Sequence, residues 1–269
     1  LCLQAGVSTS GFYAWKKQSL QPIDEPALDI IKVIFESKKR KAGARTIKMI
    51  LKRNFGIIMN LKKIRRIKKR YALETIIRRK NKYSTIFNSG VDHKTAPNLL
   101  RRKFNITKKD TVYSTDITYL PYGKGLRAYL SAVKDLGTKE IVHYNLSRKM
   151  TIELATNGLE NLYGKLSLRK RKKLLIHSDQ GTHYTSKVYR NLLKQFKVKQ
   201  SMSRRGNCLD NAPIESFFGH MKDEIDLRNC KGYDDLELEI RRFINYYNNE
   251  RPQWGLKGKT PAECRGLKF

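Results

Sequence analysis

What the chain lacks narrows the field first. Its four cysteines (Cys2, Cys208, Cys230, Cys264) are scattered, with no Cys-x-x-Cys pair. A zinc module of the usual spacing therefore has no ligands, and free thiols in a reducing cytoplasm are expected. No run of 18 or more apolar residues appears, so a membrane span is not expected, and no signal peptide is visible. Acids are scarce: 24 Asp and Glu face 57 Lys and Arg, a net charge of +33. The shortage is steepest over residues 1–110, with 28 basic residues against 7 acidic ones; residues 111–269 hold 29 against 17. Such an excess favours a polyanionic partner, because neutralising phosphates releases condensed counterions. A ribosomal protein or a membrane-surface binder shares that charge, but neither explains where the few acids stand. At 269 residues there is room for one large domain or two smaller ones.

Three of those acids sit in distinctive surroundings. Asp116 lies in Tyr-Ser-Thr-Asp-Ile-Thr (113–118), Asp179 in His-Ser-Asp-Gln-Gly-Thr-His-Tyr (177–184), and Glu215 in Asp-Asn-Ala-Pro-Ile-Glu-Ser-Phe-Phe (210–218). Asp116 ends a β-rich run, Asp179 ends a second apolar run, and Glu215 falls in the first turn of a helix opened by Pro213. Pro at that position costs no hydrogen bond, and the positive helix end favours an ionised carboxylate. Three carboxylates gathered in a strongly basic chain call for a divalent cation: Mg²⁺ takes hard oxygen ligands and substrate phosphates.

The rest of the chain organises around them. Residues 1–18 read as the end of one helix, a turn and a second helix capped by Ser8, a partial helix-turn-helix. Residues 27–83 form a basic helical region, with Ile30, Ile31, Ile34 and Phe35 at helical spacing, as are Ile47, Ile50 and Leu51. Lys62, Lys63, Arg65 and Arg66 crowd the polar side of a segment whose apolar side is Ile64 and Ile67, which points to DNA contact. Residues 84–105 read as a connector. From 106 to 268 alternation and short apolar runs predict strands at 111–120, 128–135, 140–146, 174–176 and 198–202. A helix begins at Thr151 and another runs from a Ser186 cap to Phe196. Leu236–Tyr247 is a further helix. Lys222 shares a helix face with Glu215, in position to hold a DNA phosphodiester. Arg204 and Arg205, beside Gly206, form a basic loop expected to touch DNA backbone. Phe217 and Phe218 are expected in the core.

With these residues in view, the chain resembles the DDE transposases of the insertion-sequence-three family, specifically the downstream-frame protein with an integrase catalytic core. The matching segments are Pro97–Phe104, Ser114–Thr118, His177–Gly181 with Tyr184–Ser186, Ser203–Ala212, Glu215–Phe218, Tyr246–Asn249 with Arg251, and Thr260-Pro261. The resemblance implies an α/β, ribonuclease H-like core preceded by a basic helix-turn-helix-like region. It implies Asp116, Asp179 and Glu215 as catalytic, metal-binding residues, with two ions of Mg²⁺ (Mn²⁺ as substitute). Implied partners are double-stranded DNA at element ends and target, further copies of the chain, and an upstream-frame protein joined by frameshifting. The chain itself is then a downstream product or a fragment of that fusion, in a bacterial cytoplasm and on the nucleoid when bound to DNA. Two other readings are a truncated, non-catalytic DNA-binding regulator and a ribonuclease H-like nuclease for hybrids or junctions.

Overall fold

A computed structural model describes residues 2–20, 25–76, 95–204 and 206–266. The chain divides into two compact units, Leu1–Ile77 and Arg78–Phe269.

The first unit holds four helices: α1 (Thr9–Leu20), α2 (Glu25–Ser37), α3 (Ala44–Phe55) and α4 (Leu61–Arg70). The Ser8 hydroxyl accepts from the Gly11 N–H at 3.1 Å, the expected cap of α1. Ile31, Ile34 and Phe35 of α2 meet Ile47, Ile50 and Leu51 of α3 and Ile64 and Ile67 of α4 in one buried cluster. Gly56 ends α3 in the left-handed region (φ 67°), where a side chain is strained. Ile64 and Ile67 are fully buried while Lys62, Arg65, Arg66, Lys69 and Arg70 face water. Asn60 caps α4, its side-chain oxygen accepting from the Lys62 N–H at 2.8 Å. Residues 77–83 of the basic region and 84–94 of the connector lie outside the described residues.

The second unit is built on a five-stranded sheet in the order β3-β2-β1-β4-β5. Its strands are β1 (Val112–Tyr122), β2 (Leu126–Asp135), β3 (Ile141–Ser147), β4 (Leu175–Ser178) and β5 (Lys199–Met202). The first three are antiparallel neighbours; β4 runs parallel to β1, and β5 parallel to β4. Three short helices, α5 (Ile152–Thr156), α6 (Leu159–Gly164) and α7 (Leu168–Lys173), stand where the sequence predicts one starting at Thr151. The break falls at Gly158, which adopts φ 77° with the His143 ring occupying the place of a Cβ. After β4 come α8 (Thr182–Thr185) and α9 (Lys187–Phe196), the latter capped by Ser186, whose hydroxyl accepts from the Tyr189 N–H at 3.2 Å. Residues 95–105, the described part of the expected connector, lie against β5: the Leu99 and Leu100 N–H groups donate to the Ser201 hydroxyl.

Period-2 alternation sorts the two faces of the sheet. Leu120, Leu130 and Ala132 pack under α10 (Ala212–Glu224) and α11 (Tyr233–Asn249), where Phe217 and Phe218 are buried as expected. Tyr113, Val133 and Ile176 face α5, α6 and α9. A last helix, α12 (Pro261–Arg265), starts with a capping box between Thr260 and Glu263. Its Arg265 reaches Asp110 at 2.9 Å and Asp135 at 2.8 Å and also pairs with Glu140, locking the C-terminal segment to the strand ends. Arg251, just after α11, holds Glu224 at the end of α10, Nε to carboxylate 2.8 Å. Among the described residues no helix is long and apolar enough to cross a membrane, and Cys2, Cys230 and Cys264 are free thiols.

Candidate active site

The alternation that builds the core also aims β1 at α10. Ser114, Asp116 and Thr118 share one face of the strand, and that face meets α10. The Ser114 hydroxyl donates to the Asn211 side chain at 3.1 Å, at the start of α10. Further along, the Lys222 ammonium donates to the Thr118 hydroxyl at 2.6 Å and lies 4.8 Å from the centre of the Tyr119 ring. Asp116 lies between these tethers and Glu215 lies on the first turn of the helix they hold. β4, hydrogen-bonded beside β1, ends at Ser178 and delivers Asp179 to the same end of the sheet.

All three acids are raised above ordinary carboxylates. Asp116 is pushed up to about 8, first by burial and then by the charges of Asp179 and Glu215; the Ile117 N–H at 2.8 Å and Lys222 pull the other way. Asp179 is raised by burial, offset by the Gly181 N–H at 2.9 Å and by His183. Gly181 leaves room for that carboxylate: a Cβ there would lie 3.0 Å from its oxygen. Glu215 projects towards solvent, yet it too is raised, by the protein around its carboxyl and by Asp179. Carboxylates that repel one another need a cation to stay ionised together. Among the described residues no three His, Cys, Asp or Glu side chains are grouped as they stand to hold an ion. The hard oxygen donors and their mutual repulsion nevertheless fit a divalent cation, which would have to draw the acids together.

Beside the acids lies a feature that local sequence does not reveal. Asp210 has a fully buried side chain that accepts from Arg102 Nε (2.6 Å), Asn98 Nδ2 (2.9 Å), and the Arg204 backbone N–H and Nε (3.1 and 3.0 Å). These bonds hold its pKa well below the usual carboxylate range, the Arg204 side chain first. Arg204, predicted to touch DNA, thus already anchors this knot while its side chain stays largely exposed. Arg205 lies outside the described residues. The candidate DNA residues of α4, Lys62, Lys63, Arg65 and Arg66, belong to the first unit. His177 is a buried histidine paired through Nδ1 with Ser201 at 2.9 Å, and burial lowers its pKa.

The sequence reading also passed over Lys134. This β2 lysine is buried, donates to the Pro213 carbonyl at 2.9 Å in the first turn of α10, and is pulled down to about 7, chiefly by burial. A lysine with a depressed folded value is charged in the unfolded chain but neutral in the fold between that value and about 10.4. Stability from this site therefore rises with pH across that window and the burial penalty is complete below it. Lys134→Met is accordingly expected to gain thermal stability over the parent near pH 6 and to lose that advantage towards pH 10. Its DNA-joining activity should fall as well, because the tether to α10 is gone. Melting curves against pH, beside the joining assay, check both.

A mixed sheet of this order, with acids delivered by β1, the end of β4 and the helix after β5, defines the ribonuclease H-like integrase core of the polynucleotidyl transferases. Comparisons agree. The family profile described as Integrase core domain matches residues 106–208, a second integrase core profile matches 196–261, and one described as HTH-like domain matches 22–81. The putative transposase InsK for insertion sequence element IS150 of Escherichia coli is 36% identical over 89% of this chain and 82% of its own length. The uncharacterized 31 kDa protein of insertion element IS600 from Shigella sonnei is 35% identical over 98% and 97%. The magnesium-bound catalytic core of HTLV-2 integrase aligns with 57% of this chain and 94% of its own at 18% identity and a TM-score of 0.44, too distant to bear on function. The chain belongs to the insertion-sequence-three family of transposases, DDE enzymes of DNA transposition.

Proposed function

We propose that Asp116, Asp179 and Glu215 are the catalytic acids and hold two Mg²⁺ ions, with Mn²⁺ as substitute. The observation that carries this reading is their mutual electrostatics: Asp116 feels both other acids, although one comes from a neighbouring strand end and one from α10. Bound ions of this kind activate the attacking oxygen and stabilise the leaving one in in-line phosphoryl transfer. The chain's own part is positioning. β1 and β4 fix the two aspartates, the Gly181 N–H orients Asp179, and the start of α10 presents Glu215. Lys222, two turns on from Glu215, brings positive charge towards a phosphate arriving at the acids, and Arg204, before α10, contacts backbone together with Arg205. A water oxygen attacks the phosphodiester at an element end, expelling the 3′ oxygen as a free 3′-OH. That hydroxyl then attacks a second phosphodiester and displaces its 3′ oxygen. No side-chain nucleophile takes part.

The partners in this reading are double-stranded DNA at element ends and target, further copies of the chain in the DNA complex, and the upstream-frame protein. The setting is the bacterial cytoplasm, on the nucleoid when DNA-bound. The test is strand transfer on the element's own end DNA with Mg²⁺ or EDTA, beside Glu215→Gln. Joined products that need metal and vanish in the variant are expected. Metal-independent joining, or a fully active variant, overturns the assignment.

For the basic helix, Lys62, Lys63, Arg65 and Arg66 are proposed to hold DNA phosphates. Changing all four to Gln should weaken binding uniformly across sequences and flatten the plot of log affinity against log salt by roughly three to four, about 0.9 for each phosphate no longer neutralised. Fluorescence anisotropy over a salt series reads this; an unchanged slope means α4 is only a solvated face.

A further inference from the structure

The parallel strands β1, β4 and β5 all begin at the end of the sheet remote from the acids, and lysines stand at each beginning. Lys108 and Lys109 precede β1, Lys172 and Lys173 precede β4, and Lys197 and Lys199 flank the start of β5. All six are exposed. The beginnings are bonded side by side: the Leu175 N–H donates to the Thr111 carbonyl at 3.0 Å, and the Lys199 N–H to the Leu174 carbonyl at 3.0 Å. With strands about 4.8 Å apart, the lysine pairs form one row across the domain.

Among the described residues no carboxylate pairs with the row. The acids of this pole, Asp110, Asp135 and Glu140, are turned inwards and taken up by Arg265, with Lys170 adding a second contact to Asp110. Lys109 donates to the Arg265 carbonyl at 2.8 Å. Lys108, Lys172, Lys173, Lys197 and Lys199 have no carboxylate partner among the described residues. Arg169, exposed on α7, extends the same charge.

We propose that this pole is a second DNA-backbone surface, holding a duplex other than the one whose phosphodiester lies at the acids. Lysine ammoniums are point charges suited to phosphates without sequence readout, and an open row of them suits a long polyanion rather than a small ligand. The second duplex follows from distance: five residues of extended chain, from Leu174 to Asp179, separate row from acids by roughly 16 Å. A duplex held along this pole keeps its phosphodiesters away from the acids of the same copy, and in joining it meets the acids of a further copy in the DNA complex. The proposal rests on the joining reaction above, which needs two DNA partners.

The test compares the full chain with a Lys108→Gln, Lys172→Gln, Lys173→Gln, Lys199→Gln variant, whose melting temperature should match the parent because these side chains are exposed and have no carboxylate partner among the described residues. One assay is Mg²⁺-dependent cleavage of a single short end duplex. Another is joining of a pre-cleaved end to a separate duplex, with that duplex titrated. A third is capture of a labelled duplex by protein already bound to an immobilised end. Expected are cleavage within about twofold of parent, joining and capture reduced about tenfold or more at moderate salt, and recovery of joining at high second-duplex concentration. Unchanged joining and capture overturn the proposal, leaving solvated charge or an acidic protein as the row's partner. An equal loss of single-duplex cleavage overturns it too, because the lysines then hold the same duplex as the acids. If the parent itself fails to cleave, the reading of the acids has failed, and the capture assay still decides the pole.

Discussion

Asp116→Asn abolishes metal-dependent joining, by roughly 10³-fold or more, and raises the melting temperature of the metal-free protein. The activity loss follows from removing one ligand of the proposed cation site: a Lewis-acid site supplies several kcal/mol of charge stabilisation, and about 1.4 kcal/mol is tenfold in rate. The stability gain comes from the same carboxylate. Its folded value, pushed up to about 8 by burial and by Asp179 and Glu215, lies above the unfolded value of about 3.9. Between those values the folded protein binds a proton that the unfolded chain does not, so stability falls as pH rises through that window. The amide removes the penalty, and the advantage of the variant should grow from pH 4 towards pH 8. Added Mg²⁺ stabilises the parent by binding the folded state and leaves the variant almost unmoved. Melting curves with and without Mg²⁺ read this apart from catalysis. A variant that joins DNA normally, or loses stability at every pH, contradicts the role given to Asp116.

This coupling of chemistry and instability was legible in part. Asp116, Asp179 and Glu215 each sit in a local context that states its element: a strand, a strand end, and a helix opened by Pro213. Period-2 alternation in β1 then places Ser114, Asp116 and Thr118 on one face, and short-range signals such as Ser186 mark helix starts. What escaped depends on long-range contact. Lys134 reads as one more polar residue in an alternating strand, and only the packing of α10 makes it buried. Arg265 meets partners 125 to 155 residues away. The helix expected to begin at Thr151 does begin there, but it stops at Thr156. A new one starts after Gly158, whose left-handed backbone and missing Cβ make room for the His143 ring, a contact no local pattern contains. The lysine row is the same kind of fact: three unremarkable pairs become one surface only when the strands are laid parallel.

Asp210→Asn should cost the protein about 3 kcal/mol and lower its melting temperature by roughly 6–12 °C, more than any other single change in the loop before α10. Breaking a buried charge pair by neutralising one partner typically costs about 3–5 kcal/mol. The low end applies because the Arg102 and Arg204 side chains remain 40% and 62% exposed and recover hydration. For a unit of this size each kcal/mol moves the midpoint by about 2–4 °C. The pH dependence has a definite sign. A carboxylate held below its unfolded value contributes stability that is complete above about 3.9 and is lost as pH falls through the folded value. The gap between parent and variant should therefore be widest at neutral pH and close in strong acid. Function should follow, because Asp210 ties Asn98 and Arg102 to the turn that leads into α10. Loosening that turn frees Glu215 relative to Asp116 and Asp179, so joining should fall even well below the melting temperature, while DNA binding through α4 persists. A variant that melts with the parent at pH 7 would mean the arginines and Asn98 only decorate a loop held by its backbone, and the placement of Glu215 would then rest on the contacts of Ser114, Lys134 and Lys222 with α10 and β1.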